Sequence, residues 1–230
     1  MAAERLPHPF RRRQLLKLYR RLYKNYGPQH WWPAKTPFEV MVGAVLTQNT
    51  AWINVERAIA NLRRARCLSA GSILALAPAE LAELIRPSGY FNIKERRLRS
   101  LCEWFRARGG LRRLRRMDTG ALRDDLLAVH GIGPETADDI LLYAFGRPVF
   151  VIDAYTRRLF ARLGLARGDE HYESLRRGIE AVLEPDVVLF NEYHALIVRH
   201  AKESCTARRG CRHCRIEAPL QSFEKPGQFT

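Results

Sequence analysis

In the segment Leu126 to Phe145 (LLAVHGIGPETADDILLYAF), only His130-Gly131-Ile132-Gly133-Pro134 separates two apolar helical patterns, which is the spacing of a helical hairpin. Gly131 and Gly133 can take positive φ and let an anion come close to the backbone, while Pro134 opens the second helix where a missing N–H costs nothing. The unpaired amides and the positive end of the helix dipole then suit a DNA phosphate, whatever base it carries. Ile132 reads as the apolar anchor of the loop. An ordinary inter-helix turn gives the same pattern, so the surrounding residues decide. Asp153 follows the apolar run Val149 to Ile152, and its plainest role is to cap a helix starting near Ala154, with Arg157 as partner. Near the C-terminus Cys205, Cys211 and Cys214 cluster without an even pairing scheme, whereas Cys67 and Cys102 stand alone in helical patterns. That usage suits a reducing compartment and a metal.

The elements that must hold these groups read as helices throughout. Apolar residues recur at three and four positions, as in Leu98, Leu101, Cys102 and Phe105, or Leu189, Tyr193, Leu196 and Ile197. Thr36, Pro37 and Glu39 form a helix start, and Asn92 with Glu95 is expected to form another. Breakers at Gly27-Pro28, Pro87-Ser88-Gly89, Gly109-Gly110, Gly131 to Pro134, Gly146 to Pro148 and Gly164 to Gly168 leave roughly ten helices with short connections. Val149 to Ile152 is the one strand-like piece and reads as an extended connector.

The 230 residues, 47% of them apolar, are enough for a sizeable core, and 39 Lys and Arg against 24 Asp and Glu give a net charge of +15. Ten basic and two acidic residues between Lys94 and Arg116 put +8 into one short stretch. A polyanionic partner is the natural match, nucleic acid first. No apolar run reaches the roughly eighteen residues a bilayer span requires, which excludes a membrane-spanning class. Met1 to Arg21 has no apolar core of the signal-peptide kind, and its leucines mark an amphipathic helix.

The Gly-Ile-Gly hairpin, its following helix, and Val-Ile-Asp before an Arg-rich helix resemble the endonuclease III branch of the helix-hairpin-helix DNA glycosylases, over roughly Trp31 to Cys214. The resemblance implies an all-α, two-domain fold: residues 37–145 as the hairpin-bearing domain, and 1–36 with 146–230 as a discontinuous second one. It also implies a monomer acting on double-stranded DNA with a damaged base, a cytoplasmic and nucleoid-associated place, and catalysis by Asp153. A carboxylate beside the sugar can stabilise the oxocarbenium-like charge and orient or deprotonate the attacking water. Bifunctional members carry a lysine just before Thr-Ala in the second hairpin helix as a Schiff-base nucleophile; here Glu135 precedes Thr136-Ala137. A carboxylate forms no imine, so water is the expected nucleophile and strand cleavage is expected to be absent or weak.

Trp31-Trp32-Pro33 and Ala44 to Trp52 resemble the subgroup that excises 3-methyladenine and related alkylated purines. The resemblance implies a base pocket of Trp31, Trp32 and Trp52, in which a cationic purine stacks on indole; the alternative is that Trp31 and Trp32 simply close the core. It further implies that Gln48 fills the gap left by an extruded nucleotide and that Tyr90 wedges against the orphaned base. Lys94 and Arg96, with Arg97 and Arg99, then become phosphate contacts. Cys205, Cys211 and Cys214 resemble the family's iron–sulfur loop, but the fourth cysteine, due near Leu220, is missing. A [4Fe-4S] cluster with an incomplete cysteine set, zinc with His213 or His200, and no metal at all stay open, as does a supporting basic loop of Arg208, Arg209, Arg212 and Arg215. Two other functions also stay open: a glycosylase for oxidised pyrimidines or mismatches with weak AP-lyase action, and a non-catalytic DNA-binding protein in which Asp153 is only a cap.

Overall fold

The computed structural model describes residues 10–206 and Ile216. Twelve α-helices, a 3-10 turn and a π turn carry the described residues, with no strand among them. The chain divides into two compact units, Trp32–Arg147 and the flanking Met1–Trp31 with Pro148–Thr230. No helix among the described residues is long and apolar enough to cross a membrane.

In the first unit, α2 (Pro37–Leu46) is the central element. Thr36 caps it by accepting a hydrogen bond from the Glu39 amide at 3.1 Å, and every residue from Phe38 to Leu46 is buried. Around it lie α3 (Trp52–Arg64), α4 (Ala70–Ala75), α5 (Pro78–Leu84), a 3-10 turn (Arg86–Ser88), α6 (Phe91–Ala107), α7 (Gly110–Leu114) and α8 (Thr119–Leu127). The hairpin's second helix is α9 (Pro134–Asp139), which widens into a π turn over Ile140–Ala144. The number of helices exceeds the sequence expectation because α4, α5 and α7 have only 6, 7 and 5 residues, too few turns to show a period.

The start of α6 also departs from expectation. Gly89 and Tyr90 both take left-handed φ, +66° and +47°, and the helix begins at Phe91 with Tyr90 as its cap residue. Asn92 lies inside the first turn and caps nothing, and Glu95 pairs with Arg99.

In the second unit α1 (Arg12–Tyr26) packs its Leu15, Leu18 and Leu22 face against α12 (Val187–Glu203), where the buried Tyr193 hydroxyl donates to the Leu15 carbonyl at 2.9 Å. Between them in sequence lie α10 (Ala154–Arg162) and α11 (Tyr172–Glu180). The connector Val149 to Ile152 is buried yet belongs to no sheet. Side chains of α11 answer its amides instead: Phe150 donates to Glu180 Oε1 at 2.8 Å and Ile152 to the Tyr172 hydroxyl at 3.4 Å.

Candidate active site

Asp153 ends this connector and is 8% exposed. Its Oδ1 accepts the Thr156 amide at 2.7 Å, so it does cap α10, where the helix dipole favours a negative charge. Its Oδ2 lies 3.4 Å from Nε2 of His194, a buried residue of α12. Burial pushes the carboxyl up, but the His194 charge and hydrogen bonds from His194 and Thr156 more than offset this and bring it below the ordinary carboxylate range. Asp153 is therefore an ionised, oriented carboxylate at neutral pH. Arg157, the partner expected from sequence, donates to the Glu170 carbonyl instead.

In the other unit, the hairpin loop holds Gly131 at φ +83°. A Cβ there would lie 2.2 Å from Arg97 Cγ, so glycine is required twice over. Gly133 corrects the expectation of two left-handed glycines: its φ is −93° and ψ 177°, ordinary extended backbone. It is exposed, with nothing within 4 Å of where a Cβ would stand. Ile132 is buried at 5% exposure and anchors the turn. Gln48 bridges to the same loop, donating from Nε2 to the Gly131 carbonyl and to Thr136 Oγ1, both at 3.0 Å, and accepting from Arg97 Nη1 at 2.5 Å.

Lys94 corrects a second expectation. It is 1% exposed, and its ammonium donates to the Leu46 carbonyl, Thr50 Oγ1 and the Ser88 carbonyl at 2.8, 2.8 and 2.7 Å. Burial first, and then the Arg97 charge, push it down to about 8, so at neutral pH three protons meet three acceptors. Lys94 ties the end of α2 to the turn before Tyr90 and has no proton left for a phosphate. Replacing it by methionine is expected to cost roughly 2 kcal/mol in denaturant unfolding, because the Leu46 carbonyl loses its charged donor and the Ser88 carbonyl keeps only the Thr50 hydroxyl. Arg99 is also structural, donating to the carbonyls of Leu74 and Leu76. Arg96 and Tyr90 are exposed, Tyr90 at 67%.

The tryptophans separate. Trp32 meets Trp52 edge to face at 4.9 Å and Tyr143 at 5.1 Å, and it packs on Gly43, where a Cβ would come within 3.2 Å of its ring. Trp52 opens α3, and its indole N–H donates to Glu56 at 2.9 Å. Trp31 belongs to the other unit, with Lys202 Nζ 5.8 Å from its ring. Sequence reasoning missed Tyr143, Thr50, His194 and the Arg97–Gln48 contact. For Tyr143 the signal was an aromatic in the apolar run after the hairpin; the others gave none.

Of the metal candidates, Cys205 is buried, with Arg162 Nη1 3.0 Å from its sulfur and Arg158 donating to its carbonyl at 2.8 Å. Cys211, Cys214, His213, Leu220, Arg208, Arg209, Arg212 and Arg215 lie outside the described residues. His200 is buried beside the Tyr26 hydroxyl at 2.9 Å, and burial pushes it down to about 4. Among the described residues no three His, Cys, Asp or Glu side chains form a metal site.

The model of the HhH-GPD superfamily base excision DNA repair proteins matches residues 42–185, a span that contains both the hairpin and Asp153. The chain belongs to this superfamily. It is a DNA glycosylase of base excision repair, similar to endonuclease III. A provisionally named DNA repair glycosylase of Methanocaldococcus jannaschii is 44% identical over 206 residues, covering 88% of this chain and 94% of that protein. Endonuclease III of Escherichia coli K12 is 26% identical over 197 residues, 83% of this chain and 86% of that one. Among solved structures, the H. pylori 3-methyladenine DNA glycosylase bound to 1,N6-ethenoadenine aligns with TM-score 0.71 and 31% identity, over 84% of this chain and 98% of that chain. An endonuclease III–DNA complex shares the fold at TM-score 0.77 and 21% identity, over 90% and 94%.

Proposed function

We propose that this glycosylase hydrolyses the N-glycosidic bond of alkylated purines in duplex DNA and leaves the backbone intact. The observation that carries the reading is Asp153, a carboxylate kept ionised by His194 and Thr156 inside a buried setting. As the C1′–N9 bond breaks, its electron pair leaves with the base, and a cationic alkylated purine departs neutral without a proton from the enzyme. Asp153 stabilises the positive charge left on the sugar and accepts the proton of the water that adds to C1′. Glu135, at the place where bifunctional relatives carry lysine, supports water as nucleophile.

The lesion class is supported by the Trp32, Trp52 and Tyr143 cluster, whose π faces favour a cationic over a neutral purine, and by the likeness to the 3-methyladenine glycosylase. The hairpin amides and Arg96 would contact phosphates, with Gln48 and Tyr90 at the vacated base position. The capping bond to Thr156 favours one rival, a DNA-binding protein that uses Asp153 only structurally. The cysteine loop is one thiolate short of the four that hold a [4Fe-4S] cluster. Cys205, Cys211 and Cys214 would hold such a cluster, or zinc, in a structural role, and metal analysis with absorption near 400 nm distinguishes them.

The test is base release from duplexes carrying alkylated purines, oxidised pyrimidines, uracil or mismatches, with and without alkali. Alkali-dependent breaks at alkylated purines support the proposal. Release only from oxidised pyrimidines or mismatches overturns the lesion class, and no release from any duplex overturns the enzyme in favour of the binding protein.

A further inference from the structure

α1 has no acidic residue in RRQLLKLYRRLYKNY, and Arg13, Lys17, Arg20 and Lys24 recur along one face at steps of four, three and four. The opposite face, Leu15, Leu18 and Leu22, is buried, which fixes the cationic stripe outward. Arg12 pairs with Glu184, and Arg21 donates to the Ile216 carbonyl. For the four stripe residues no carboxylate partner exists among the described residues. Elsewhere the chain pairs such arginines within a helical turn, as in Arg99–Glu95, Arg176–Glu180, Arg199–Glu203 and Arg86–Glu83.

This arrangement is unfavourable by itself. Like charges three or four residues apart repel, and a cation in the first turn opposes the helix dipole. A polyanion lying along the face removes both penalties. Arg13, Lys17, Arg20, Arg21 and Lys24 line a groove of about 340 Å³. From Arg13 to Lys24 the stripe runs about 16 Å along the helix, about five base-pair rises of a duplex.

We propose that this stripe on α1 is a second contact for the DNA backbone, additional to the hairpin and independent of the lesion. The inference rests on the DNA reading above but not on Asp153 or the aromatic cluster. Its test is the quadruple variant Arg13→Gln, Lys17→Gln, Arg20→Gln, Lys24→Gln in the full chain, binding an undamaged 40-base-pair duplex across a salt series. The plot of log Kd against log salt is expected to lose about 3 to 4 units of slope, near 0.9 per phosphate contact. The melting temperature should hold or rise, which separates lost contacts from lost folding.

Base release by saturating enzyme in a single turnover should not change. If the wild type releases no base and the variant still loses slope, the stripe stands and the lesion reading falls. An unchanged slope overturns the stripe, and so does a variant that keeps its DNA slope but loses binding to single-stranded RNA or polyglutamate.

Discussion

Asp153→Asn is expected to lower single-turnover base release by about 10²- to 10⁴-fold while leaving the Kd for lesion DNA within about twofold. The substitution isolates charge from structure. Asparagine caps helices as well as aspartate does, so the bond to the Thr156 amide and the start of α10 survive. Asp153→Ala should lose the same activity and also about 1 kcal/mol of stability, with the cap. Should the asparagine variant release base at the wild-type rate, the carboxylate is only a cap and the hydrolytic mechanism is wrong.

The pH dependence follows from the same contacts. The Asp153 carboxyl lies below its unfolded value, so the stability it contributes is present above the ordinary carboxylate range of about 4 and is lost as pH falls through its depressed folded value. The acid limb of single-turnover activity should therefore lie below about pH 4, wherever the protein remains folded. An acid limb at pH 6 to 7 would mean that a histidine, not Asp153, limits the rate.

With Glu135 in place, incubation with lesion DNA and borohydride is expected to leave no covalent complex, and nicks should appear only after alkali. Glu135→Lys is expected to yield a trapped complex, because an amine then stands where bifunctional relatives carry theirs and can add to C1′ to form an imine. Glu135 is exposed in the first turn of α9, where the dipole favours an acid, so the exchange should cost only about 1 kcal/mol. Efficient trapping by the wild type would locate a nucleophile elsewhere in the chain and overturn water as the attacking group.

The helices, the hairpin and the cap at Thr36 were legible in the sequence because each is a local device: a period of 3.6, a Gly-x-Gly-Pro turn, a hydroxyl three residues before an acid. What failed was non-local. Lys94 sits in a run of cations that reads as a solvated patch, and only its three acceptors, from positions 46, 50 and 88, reveal a buried strut. Gly133 looks like Gly131 in sequence, but Arg97 packs over Gly131 alone. His194 lies 41 positions beyond the acid it steadies, in a helix whose pattern gives no reason to single it out.

The connector that delivers Asp153 carries a consequence for how this chain can vary. A strand in a ladder can slip by two residues and recover its pairing. Here Phe150 and Ile152 each answer to one particular side chain of α11, so no shifted alignment restores the contacts. Insertions and deletions among homologues should therefore be absent between Arg147 and Asp153.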